Sequence, residues 1–107
     1  MATDQQEEVW EALGDRTRRA IFLCLSEGPK PVGELATYLP VSRSAVSQHL
    51  KVLKDAGLVA ERAEGTRRIY RLNEAGVIAL RDQLDTFWDR ALSGYNNLVT
   101  RPPEEDP

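Results

Sequence analysis

The chain has 107 residues, 41% apolar and 29% charged, with a formal net charge of −3. That is one domain's worth of chain, and no apolar run approaches the roughly 18–20 residues that span a membrane. The lone Cys24 excludes a disulfide within the chain, and the acidic start MATDQQEEVW is the opposite of a secretory signal, so a cytoplasmic protein is expected.

The first helix is expected to start at Thr3 or Asp4, to carry the apolar positions Val9, Trp10 and Leu13, and to end at Gly14. Asp15 caps a second helix, RTRRAIFLCLSEG, with a wide inward face of Ala20, Ile21, Leu23, Cys24 and Leu25 that stops at Gly28-Pro29. Pro31 opens a short third helix with Val32, Leu35 and Leu39 inward, closed by Pro40. Ser42 caps a fourth, which runs to Ala56 with Val46, Leu50 and Leu53 on one face and Gly57 as its left-handed terminator.

The apolar period then changes from 3.6 to 2. LVAERA and RRIYRL flank EGT, a hairpin with Gly65 in the turn. Asn73 caps a last helix whose apolar positions are Val77, Leu80, Leu84, Phe87, Trp88, Ala91, Tyr95 and Leu98, a single-sided stripe about seven turns long. The expected domain is residues 1–100, with the charged, Pro-rich tail at 101–107 disordered. The fold class is therefore mainly α with a small β-hairpin: four helices, a hairpin and a long helix, which is a winged helix-turn-helix.

Charge follows these elements. Residues 1–15 hold five acids and no base (−5). Residues 16–71 hold eleven bases against five acids (+6), and residues 72–107 hold three against seven (−4). A polyanion feels the local field within a Debye length of about 8 Å, so a basic middle between acidic ends suits nucleic acid despite the negative total.

With Val46, Leu50 and Leu53 inward, the fourth helix turns Arg43, Ser44, Ser47, Gln48, Lys51 and Lys54 outward or to its flank. Ser44, Ser47 and Gln48 carry donors and acceptors that match base edges. Arg43 and Lys51 suit phosphates, which set register without reading sequence. His49 lies at the margin of the apolar face, where it either donates to a phosphate or packs half-buried. It has no partner at ligand spacing for a metal. At the wing, Thr66, Arg67 and Arg68 follow the DNA backbone or enter a narrow minor groove; charge that merely defends a strand edge is the other reading. Arg16, Arg18 and Arg19 sit unfavourably near a helix N-terminus, which points mainly to structural pairing with Asp15 or the acidic first helix, a DNA phosphate contact from one of them being the weaker reading. Cys24, between two leucines, reads as a buried, inert thiol.

The aromatic stripe on the last helix is more than a small domain easily covers. A two-fold dimer through the first and last helices would cover it, with Val9, Trp10, Leu13, Leu80, Leu84, Phe87, Trp88, Ala91 and Tyr95 at the interface. It would also set two recognition helices about one DNA turn, ~34 Å, apart. A winged helix that serves only protein contacts is the alternative. No phosphate loop, nucleophile elbow or His-Glu-x-x-His is present, so no enzyme is expected.

The run SRSAVSQHLKVLKDAGLV followed by EGTRRIYRL resembles the ArsR-type family of prokaryotic winged-helix repressors, and the likeness covers residues 9 to about 99. It implies a homodimer that binds an imperfect inverted repeat in double-stranded operator DNA and is released by a ligand where one exists. In that family metal sensors carry Cys on the third helix, or Asp and His on the last. Here VGELATYL and LRDQLDTFWDRALSGYNNLV contain neither Cys nor His. A repressor without a metal site, without a cofactor and without a recognisable effector is therefore expected, in the branch of the family that LDTFWDRAL resembles.

Overall fold

The structure, a computed structural model, describes residues 2–100, and their side chains from Glu7 to Asn96. The expected tail at 101–107, the side chains of Thr3 and Asp4 and that of Leu98 lie outside the described residues. In chain order the elements are α1 (Ala2–Ala12), α2 (Arg16–Leu25), β1 (Lys30–Pro31), α3 (Val32–Tyr38), α4 (Arg43–Asp55), β2 (Val59–Glu64), β3 (Arg67–Leu72) and α5 (Glu74–Thr100). The chain forms two compact units, Met1–Val77 and Ile78–Pro107.

The first unit holds the winged helix-turn-helix. Its core is Ile21, Leu35, Val46, Leu50, Leu53 and Leu58, all fully buried. Asp15 accepts from the Arg18 backbone N–H at 3.0 Å and so caps α2. Ser42 accepts from Ala45 N–H at 3.1 Å and does the same for α4. The far end of α4 closes in a Schellman motif. Gly57 N–H donates to Lys54 O at 2.9 Å and Leu58 N–H to Leu53 O at 3.0 Å. This geometry needs the left-handed backbone that Gly57 supplies, with φ 84°. The buried Leu58 and Leu53 provide the apolar contact that accompanies it.

The sheet is antiparallel, in the order β1-β3-β2. In the hairpin Glu64 pairs with Arg67 across the two-residue loop Gly65-Thr66. Gly65 has φ 64° and Thr66 a negative φ, the sign pattern of a type II′ turn. β3 is the central strand, so Ile69 and Tyr70 are both buried although they point to opposite faces.

Several expectations are corrected. α1 begins at Ala2, ahead of Thr3 and Asp4, because the polar run that follows consists largely of good helix formers. Gly14 does not take a left-handed conformation; its N–H closes a turn onto Glu11 O at 3.1 Å. In α2 Ile21 and Leu25 are buried, four residues apart, while Leu23 lies round the helix from them and is exposed. Cys24 is only partly buried. β1 was not anticipated, since two residues carry no readable period. Asn73 does stand at the expected cap position, its carbonyl accepting from Val77 N–H at 2.9 Å, and its side-chain amide donates to Gly57 O at 2.9 Å, which ties the start of α5 to the end of α4.

The second unit carries α5 beyond Val77. Among its described side chains Leu80 is buried and Leu84 half-buried, while Phe87, Trp88, Ala91, Leu92 and Tyr95 are exposed. Phe87 and Trp88 meet edge to face, with ring centroids 5.5 Å apart. Val9, by contrast, is buried in the first unit, where its neighbour Trp10 remains exposed.

Candidate nucleic-acid interface

The three buried positions of α4 force its other residues outward. Arg43, Ser44, Ser47, Gln48 and Lys51 are all exposed. The wing tip exposes Thr66, Arg67 and Arg68. An open cleft of about 640 Å³ runs between these two elements and the start of α3. Arg43, Ser47, Thr66, Arg67 and Arg68 line it, with Val32, Gly33 and Tyr70 among the rest of its wall. The Arg43 guanidinium lies over Gly33, where an added Cβ would stand 3.7 Å from Nη1. A second, adjoining cleft of about 300 Å³ contains Ser47, Lys51, Lys54 and Arg68. Ser44 and Gln48 line neither cleft and stand free on the outer face of α4.

His49 is half-buried and turns toward α2. Its Nδ1 lies 3.3 Å from Arg18 Nη1. A guanidinium can only donate, so Nδ1 accepts and Nε2 carries the proton. Arg18 also donates from Nε to Ala12 O at 2.6 Å and from Nη2 to Glu11 O at 3.3 Å. Arg19 donates to Leu13 O at 2.8 Å. The partners of these arginines are thus the end carbonyls of α1, which as a helix C-terminus favour a cation, rather than its acidic side chains.

The electrostatics are local. Glu61 lies between Lys54, whose Nζ is 2.7 Å from Oε1, and Arg68, which reaches Oε2. The Lys54 hydrogen bond first, and then that of Arg68, hold the Glu61 carboxyl below the usual carboxylate range. In return the Glu61 hydrogen bond raises both Lys54 and Arg68. Burial pushes the Tyr70 phenol up, and the Glu61 charge adds to that. Lys51 pairs with Asp55 at 3.0 Å, and Arg67 with Glu64 at 3.8 Å.

Sequence reasoning missed Glu61, Gly33 and Tyr70 as parts of this surface. The hairpin register supplies a signal for Glu61, because it stands opposite Tyr70, two places short of the Ala63–Arg68 pair and on the same face as Arg68. Lys30 was missed too. It is buried, and its ammonium donates to Cys24 O at 3.1 Å at the end of α2.

The chain matches the family described as bacterial regulatory protein, arsR family, over residues 15–61. HTH-type transcriptional regulator Rv2034 of Mycobacterium tuberculosis is 60% identical over 93 residues, 87% of each chain. The chain belongs to the ArsR family of bacterial regulatory proteins. A second relative, transcriptional repressor SdpR of Bacillus subtilis, is 30% identical over 90 residues, 84% of this chain and 97% of its own. Among solved structures, a homodimeric winged helix-turn-helix DNA-binding domain from Mycobacterium bovis, Mb0332, superposes with a TM-score of 0.70 at 32% identity. The match covers 87% of this chain and 86% of that one. The relatives of this ArsR-family chain are thus transcriptional regulators and repressors with a winged DNA-binding fold.

At the places where the resemblance puts metal ligands, α3 and α5 contain no Cys and no His, and Asp82, Asp85 and Asp89 are exposed on the helix surface. Among the described residues no three His, Cys, Asp or Glu side chains gather as a metal-binding group.

Proposed function

We propose that this chain is a homodimeric, metal-independent repressor that binds an imperfect inverted repeat in operator DNA in the cytoplasm and catalyses no reaction. The observation that carries this reading is the cleft in which Arg43 and Ser47 from α4 face Thr66, Arg67 and Arg68 from the wing. Two separate elements offer cations and small hydroxyls to one open surface, which suits a duplex whose phosphates and base edges alternate. Ser44, Ser47 and Gln48 read base edges. Arg43, Lys51, Thr66 and Arg67 hold the backbone, Arg68 joins them where a phosphate stands in register, and the Nε2–H of His49 is a further donor to it.

The second copy packs through the first and last helices. Trp10, Phe87, Trp88, Ala91 and Tyr95 are exposed in the single chain and suit such an interface; Leu13 and Leu84 are half-exposed, while Val9 and Leu80 are already buried in the single chain. Leu92 extends the patch, four residues after Trp88. The homodimeric relative from Mycobacterium bovis supports this assembly.

The test is selection of preferred duplexes from a random pool, followed by titration. Gln48→Ala should relax the preference at one position of each half-site, by about 1–3 kcal/mol per lost base contact. If the preference is unchanged, Gln48 reads no base. If the wild-type chain binds no duplex at all, the DNA reading fails.

A further inference from the structure

Glu61 is an anion set into a surface read here as facing a polyanion. Its side chain is 15% exposed, against 49% for Lys54 and 68% for Arg68. Each of its two carboxylate oxygens takes one of these cations. Lys54 comes from the end of α4 and Arg68 from the wing, so a single carboxylate joins the recognition helix to the hairpin. Glu61, Lys54 and Arg68 all line the smaller cleft, whose remaining cation, Lys51, is held on Asp55. All three cations of that cleft are therefore already paired within the protein.

A carboxylate that accepts from two cations occupies the position a phosphate would take between them. Resting on the DNA reading above, we infer that Glu61 is a specificity-determining residue: it holds Lys54 and Arg68 on an internal carboxylate and so withholds both from the sequence-independent grip on DNA phosphates. Non-specific affinity comes almost entirely from cations that neutralise phosphates and release counterions. Base contacts by Ser44, Ser47 and Gln48 do not use Lys54 or Arg68. Withholding these two cations weakens the grip on duplexes whose phosphates do not fall in register, so the difference between a matched and an unmatched duplex widens. Exposed ion pairs are weak, so a phosphate in the correct register can still displace the carboxylate, whereas a poorly placed one gains little by doing so.

The experiment uses the full chain and a labelled random-sequence duplex, titrated at several salt concentrations. Each phosphate neutralised adds about 0.9 to the slope of log K against log salt. Glu61→Gln keeps the shape and removes the charge. It should bind the random duplex more tightly at low salt and steepen the slope by about one to two. Arg68→Gln made alone, with Glu61 intact, should change the slope by much less than about 0.9, and by about that amount once Glu61 is Gln. The single Arg68 variant decides the matter even where Glu61→Gln does not fold. An unchanged or shallower slope in Glu61→Gln, or a full loss of about 0.9 from Arg68→Gln alone, overturns the inference and leaves the DNA reading standing. Failure of the wild-type chain to bind any duplex in a salt-dependent way overturns both.

Discussion

Gly76, in the first turn of α5, lies so close to Gly57 at the end of α4 that a methyl built on it would stand 1.9 Å from the Gly57 carbonyl oxygen. The same oxygen accepts from the Asn73 side chain at 2.9 Å, and Asn73 N–H donates to Leu58 O at 2.9 Å. The junction is thus fixed from both sides, and the obstacle is backbone rather than a side chain that could swing away. Helix propensity favours alanine over glycine by about 1 kcal/mol, but overpacking against a held backbone costs about 1–3 kcal/mol or more. Gly76→Ala should therefore lower stability in a denaturant titration. A gain would show that the junction can open without cost.

Arg18 joins three elements. It fastens the end of α1 through two carbonyls and reaches the His49 ring on the recognition helix. A lysine has a single ammonium and lacks the planar fork that meets several acceptors at once. Arg18→Lys should cost about 1–3 kcal/mol in chemical denaturation, the range for losing hydrogen bonds from a charged donor. The His49 ring nitrogen signals should change as well, since Nδ1 loses its donor. If both stability and ring signals hold, Arg18 is no bracket.

Much of this fold is legible where a local residue has a local job. Asp15, Ser42, Gly57 and Gly65 each answer a need that arises within about four residues, a capped helix start, a helix stop or a tight turn. The inward face of α4 follows from spacing alone, whereas of the three positions expected inward on α3 only Leu35 is buried. What escaped is non-local. β1 exists because Lys30 and Pro31 meet Tyr70 and Ile69 some forty residues away, and no two-residue window shows that. Glu61 meets Lys54 only because the hairpin folds back beside the end of α4, seven residues along the chain. Val9 and Trp10 adjoin in sequence, yet one is buried and the other exposed, and only the packing of α1 separates them. The polar face of α4 was readable, but not which of its residues share a cleft with the wing.

The Asp15 carboxyl is held below its ordinary value, chiefly by the Arg18 backbone N–H that it caps and further by the positive charge of Arg18. A carboxyl depressed in the folded state contributes stability that is fully present above its unfolded value, near 3.8, and is lost as pH falls through the lower folded value. Asp15→Asn keeps a capping oxygen and removes the charge, so it imitates the protonated acid. Wild type should melt above Asp15→Asn at neutral pH, and the gap should close as the pH is taken below that ordinary value. A gap that stays constant down to strong acid would assign the effect to shape rather than charge.

Trp88 and Phe87 are 55% and 56% exposed in the single chain, yet their rings are locked edge to face. Exposed aromatic pairs this large bring no benefit to a solitary helix, where burial is the main return on apolar area. In a lone chain Trp88→Ala would change stability by no more than about 0.5 kcal/mol, as surface substitutions generally do. If a second copy covers the ring, the loss falls on association, because truncating a buried interface aromatic often costs about 2 kcal/mol or more. Sedimentation should then find the wild-type chain at twice the single-chain mass and Trp88→Ala shifted toward one. The melting temperature of wild type should rise with protein concentration, as it does when folding and assembly are linked, and that dependence should weaken in the variant. A wild-type chain that sediments singly at micromolar concentration would leave the aromatic face without its partner, and the spacing of two recognition helices along one duplex would go with it.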